Sequence, residues 1–149
     1  MRTDQVPAAT SLSKWFAEQN PLPQAVIEWL HNCRNFLASV TEHPPVAPSD
    51  WKRSTITMCD CQDCKAVNKF LSDENEESHR FPLAKHRREH LHQVIDRNQI
   101  DLTHKTEHRG SPHVLVCQKT TGSYKRRQRE YRSDLAYFGK LEAILKKID

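Results

Sequence analysis

Three glycines in 149 residues leave little room for a glycine-rich phosphate loop or for a large sheet that depends on many tight turns. Long apolar runs are missing too: nowhere do about 18 apolar residues follow one another, so no membrane-spanning helix is expected. The N-terminal "MRTDQVPAATSLSKWF" lacks the continuous apolar stretch of a signal peptide. Hydrophobic residues make up only 36%, so the core must be modest and a helix-rich fold is the better expectation. The cysteine count is odd, five, with three bunched within six positions, which argues against a disulfide framework. Together these absences point to an intracellular protein, nuclear or cytoplasmic, whose thiols stay reduced.

What the chain does contain is helical periodicity. In "TSLSKWFAEQN", Leu12, Trp15 and Phe16 share one face of a helix that must end before Pro21, after an unstructured lead-in over residues 1–9. Pro23 suits a first helical turn, and Val26, Ile27, Leu30, Cys33, Leu37 and Val40 recur at three- and four-residue steps. "TEHPPVAPSD" then reads as an extended connector, and "WKRSTITM" as a short strand leading to the cysteines. A short helix over about 63–71 turns Val67, Phe70 and Leu71 inward, and "SDENEESH" forms an acidic, solvated loop.

Further on, Pro82 takes a helix-starting role for a helix reaching about Arg97. "DLTHKTEHRGSPHVLVCQKT" carries a hairpin signal around "HRGSP", with His104, His108 and His113 as surface residues. The last segment places Tyr131, Leu135, Phe138, Leu141 and Leu145 in a helical stripe. The expected fold is therefore α+β, mostly α. It comprises an N-terminal helical segment (1–43), a proline-rich connector (44–54) and a zinc-stabilised domain (55–149) with a β-hairpin and a long C-terminal helix.

Cys59, Cys61 and Cys64 give the spacing C-x-C-x2-C, which offers three thiolates from one tight turn. Zinc in a structural site takes four ligands, so a histidine or cysteine must come from elsewhere in the fold. If Leu83, Leu91, Val94 and Ile95 define the buried face of the helix "HRREHLH", His90 lies at its edge, His86 further round, and His92 points away. The expected set is Cys59, Cys61, Cys64 and His90, with His86 and then Cys117 in reserve. A zinc-finger-like set of Cys61, Cys64, His86 and His90 is the alternative. Cys33 and Cys117 read as buried small hydrophobes. No H-E-x-x-H and no deaminase-type pairing of H-x-E with P-C-x-x-C is present, so the expected site is closed and structural, and the protein is not an enzyme and has no small-molecule substrate.

The formal net charge of +4 matters only if it is concentrated. Arg87 and Arg88 on one helix, and Lys125, Arg126, Arg127 and Arg129 on the last, are candidate phosphate contacts. A protein partner is the first expectation, and nucleic acid is the alternative.

The run "CDCQDCKAVNKFL", followed by "RFPLAKHRREHLHQVID" and "DLTHKTEHRGSPHVLVCQKT", resembles a cysteine-rich segment near the C-terminus of large fungal proteins. Some of these carry a 2-oxoglutarate and iron-dependent prolyl-4-hydroxylase-like domain. The resemblance extends from about Leu22 onward and implies an accessory zinc-binding module, with Cys59, Cys61, Cys64 and His90 as the matching ligands. It implies no catalysis here, because the chain lacks the H-x-D pair and the β-barrel that an oxygenase iron site needs.

Overall fold

The computed structural model describes residues 5–12 and 22–147. Its fold is α+β and mostly α: helices α1 (Gln5–Ser11), α2 (Gln24–Thr41), α3 (Gln62–Ser72), α4 (Lys85–Asn98) and α5 (Gly122–Leu145), with strands β1 (Ser78–Pro82), β2 (Leu102–Glu107) and β3 (Val114–Lys119). The chain forms two compact units, one of residues 1–46 with 126–149 and one of residues 47–125.

In the first unit, α2 follows the expected periodicity. Pro23 stands at its N-cap, and Leu30, Cys33 and Leu37 are fully buried. They pack with Leu141 and Leu145 of α5, flanked by half-buried Val26, Trp29, Phe36, Val40, Tyr137, Phe138 and Ile144. The last helix, expected to belong to the cysteine-bearing domain, instead gives its buried leucines to this cluster. The expected stripe is also displaced, because Leu135 is 42% exposed while Tyr137 and Ile144 join the packing. The lead-in is helical from Gln5, since Pro7 lies in the first turn, where its missing N–H costs nothing. Trp15 and Phe16, expected on the same first helix as Leu12, lie outside the described residues.

The second unit is built on a three-stranded antiparallel sheet in the order β1-β3-β2. The hairpin of β2 and β3 is as expected, but β1 takes Ser78 and His79 from the expected acidic loop and Phe81 and Pro82 from the expected helix segment. Pro82 ends β1 opposite Val114 and does not start α4, whose N-cap is Ala84. A proline is tolerated there because β1 is an edge strand. Leu102, Leu115, Cys117 and Phe81 of the sheet pack with Ile56, Cys64, Val67, Phe70 and Leu71 and with Leu83, Leu91, Val94 and Ile95. Lys119 shares the buried face of β3 at 2% exposure; its Nζ donates to the Asp73 carbonyl at 2.6 Å and lies 4.5 Å from the Phe70 ring centroid.

"WKRSTITM" is not a strand. Its backbone is satisfied by other means: Trp51 N donates to the Glu74 carbonyl at 2.9 Å and Arg53 N to the Leu71 carbonyl at 2.8 Å. The Asn68 amide grips Ile56 from both sides, accepting from its N–H at 2.7 Å and donating to its carbonyl at 2.9 Å. Side-chain amides here take the place of a ladder, as buried backbone groups require. This clasp carries the chain directly into Cys59.

Candidate metal centre

Cys61 is the N-cap of α3, and its Sγ accepts from the Cys64 N–H at 3.5 Å. Cys64 therefore sits in the first helical turn with its thiol turned into the core, 0% exposed, while Cys61 stays exposed and Cys59 half-buried at the end of the preceding segment. The positive end of α3 and the capping N–H favour a thiolate at Cys61. Its pKa is lowered to about 7, first by the Cys64 backbone hydrogen bond. Cys64 is pushed the opposite way, first by burial and then by its hydrogen bonds to Cys61 and Cys59. Three thiols so arranged cannot all ionise without a cation among them.

His90 supplies the fourth corner from α4. Its Nε2 lies 3.4 Å from Cys59 Sγ, 3.4 Å from Cys61 Sγ and 3.5 Å from Cys64 Sγ. All four ligand atoms fall within 4.8 Å of one another, so the group could hold a metal ion. His86 and Cys117, the reserve ligands, are not part of it: His86 is exposed, and Cys117 is buried in β3, where burial pushes its thiol up to about 12. The zinc-finger-like alternative set thus gives way to the one that includes Cys59. Cys33, buried on α2, also has a raised pKa from burial, as a packed small side chain should.

Two ties fix α4 beside the cysteine turn. Asp63 accepts from both Arg87 Nε, at 2.8 Å, and Arg87 Nη2, a bidentate pair that lowers the Asp63 pKa. Arg88 is 7% exposed and donates to the carbonyls of Leu83 and, at 3.4 Å, His113. Both arginines are expected phosphate contacts. Arg88 is buried and cannot reach one, and Arg87 is committed to Asp63. Lys125, Arg126, Arg127 and Arg129 are all exposed on α5.

His92 does not point idly away. It is half-buried, its Nδ1 meets His104 Nδ1 at 2.5 Å, and its Nε2 meets Thr106 Oγ1 at 3.0 Å; His104 Nε2 in turn contacts Asp96 at 3.0 Å. Burial, then the neighbouring His104, lowers the His92 pKa. This chain of contacts joins the side of α4 away from His90 to β2. The signal for it lay in strand alternation, which puts His104 and Thr106 on one face of β2. His108 and His113, at the ends of the hairpin loop, also pair, Nδ1 to Nδ1 at 3.0 Å.

Among the described residues, no helix is long and apolar enough to cross a membrane. Comparison of the chain with protein-family models, curated proteins and solved structures returns no match.

Proposed function

We propose that residues 47–125 form a structural zinc module and that the chain acts as a non-catalytic interaction protein. The observation that carries this reading is the near-equal distance, 3.4–3.5 Å, from one histidine nitrogen to three thiol sulfurs. Zinc bonds of about 2.3 Å to sulfur and about 2.0–2.1 Å to nitrogen, set at tetrahedral angles, separate the two atoms by about 3.6 Å. Soft thiolates with one imidazole are also the donor set that selects zinc over magnesium or calcium.

The chemistry of the set supports a closed site. Four protein ligands complete a tetrahedron and leave no position for an activated water. The nearby carboxylates have other work: Asp63 holds Arg87, and Glu89 lies 3.7 Å from Lys85. Zinc here ties α3 to α4 across the acidic loop, so its binding energy is folding energy. The accessory role is the one implied by the resemblance to segments of larger proteins, in a compartment where thiols stay reduced.

The test is metal content of the purified protein by mass spectrometry, with thermal unfolding before and after a strong chelator. One zinc per chain and a large drop in unfolding temperature on chelation are expected, and His90→Ala should lose the metal. A folded protein that binds no zinc, with Cys59 and Cys61 open to thiol reagents, would refute the reading.

A further inference from the structure

The cations of this chain fall into two groups. Several arginines serve the fold: Arg34 pairs with Glu142 at 2.6 Å, Arg53 donates to the Thr120 carbonyl, Arg80 pairs with Glu107, Arg87 holds Asp63 and Arg88 is buried. The start of α5 behaves differently. Residues 125–132 hold Lys125, Arg126, Arg127, Arg129 and Arg132 against the single acid Glu130, a local excess equal to the +4 of the whole chain. The remainder of the sequence is balanced. All five cations are exposed, and among the described residues no ion pair engages them.

Helical geometry sorts them further. At about 100° per residue, Lys125, Arg129, Arg132 and Lys140 fall within an arc of about 80°. The buried residues of α5, Asp134, Leu141 and Leu145, lie on the opposite side. The helix's acids, Glu130, Asp134 and Glu142, lie off the cationic arc, so no carboxylate interrupts it. With about 1.5 Å of rise per residue, the stripe from Lys125 to Lys140 runs about 22 Å.

We infer that this stripe is a binding surface for the phosphate backbone of nucleic acid. Its length, its single sign and, among the described residues, its freedom from ion pairs match a regularly charged polyanion, although Lys140 lies over the Tyr137 ring at 5.7 Å, and nothing in the stripe reads bases. Acidic protein surfaces carry scattered carboxylates that would leave part of so long a row unmatched. The surface belongs to α5 alone, and the inference is independent of the metal at Cys59, Cys61, Cys64 and His90.

The experiment is fluorescence anisotropy of the full, metal-loaded chain with labelled duplex DNA and duplex RNA, between about 50 and 200 mM salt. Four phosphate contacts give a slope of log affinity against log salt of about −3.6 on B-DNA. Lys125→Glu/Arg129→Glu/Arg132→Glu should weaken binding at least about tenfold at the lower salt and make the slope shallower by about three. A control with the same change in net charge, Lys69→Glu/Arg97→Glu/Lys105→Glu, should stay within about twofold. Should the reversed helix fail to fold, the glutamine variants at Lys125, Arg129 and Arg132 remove the charge without reversing it and carry the same expectation for the slope. The inference is overturned if the wild type binds neither duplex, if both triple variants lose affinity equally, or if anionic phosphatidylserine vesicles are bound while duplexes are not.

Discussion

The two units of the chain solve the same problem by different means. The unit containing α2 and most of α5 buries leucines and a cysteine and packs half-buried aromatics around them, with a cross-helix ion pair, Arg34–Glu142, at its edge. The unit of residues 47–125 has a larger apolar cluster, yet where the first unit buries Asp134 it places more polar groups in its interior: Arg88, Lys119, the Asn68 clasp and the His92–His104 contact. A segment without regular structure must be held there at a defined height so that Cys59 meets a helix N-terminus and a histidine from a second helix. Apolar packing alone does not specify such a position, because it is not directional. Hydrogen bonds with fixed partners do, and a metal held by Cys59, Cys61, Cys64 and His90 would lock the result.

The largest effect that separates the units is loss of the metal. Cys64→Ser, or a strong chelator, should remove the dispersed backbone NMR signals of residues 56–119 while those of residues 24–41 keep their positions. Simultaneous loss of both sets would erase the distinction. Next come matched core truncations: Leu37→Ala and Leu115→Ala should each cost about 2–5 kcal/mol. Only Leu115→Ala should also weaken metal affinity, measured by competition with a chromogenic chelator, because Leu115 and Cys64 share one cluster.

A pH dependence follows from Cys61. The fold lowers its thiol pKa from 9.0 to about 7, first through the Cys64 backbone hydrogen bond, so the ionised form that a metal needs is kept down to about pH 7 and is lost as pH falls through it. Metal affinity should fall in the same direction, since protons compete for all three thiolates. Urea unfolding of the metal-loaded protein and metal competition across this range check both, and the stability of the α2 unit should not follow. The smallest effect is His92→Ala, at about 1 kcal/mol in the 47–125 unit, from the loss of its contacts to His104 and Thr106.

Much of this was legible in the chain, for physical reasons that differ by place. The α2 stripe is local, and each buried leucine repeats the signal of the one before. The cysteine turn is local as well, and the choice of His90 needed only the rotation of α4 about its own axis. What local reasoning could not reach came from partners distant in sequence. "SHRFP" is polar, buries only Phe81 and becomes a strand because β3 offers it a ladder. Arg88 stands in a run of charges, and its burial depends on the carbonyls of Leu83 and His113. The same blindness sent Pro82 to the wrong element and left His92 without a role.

Metal coordination is the centre of the account, and zinc K-edge X-ray absorption on the purified protein tests it most directly. The account predicts a four-coordinate shell of three sulfurs at about 2.3 Å and one nitrogen at about 2.0–2.1 Å. A shell of oxygen and nitrogen only, or no bound zinc at all, would contradict it.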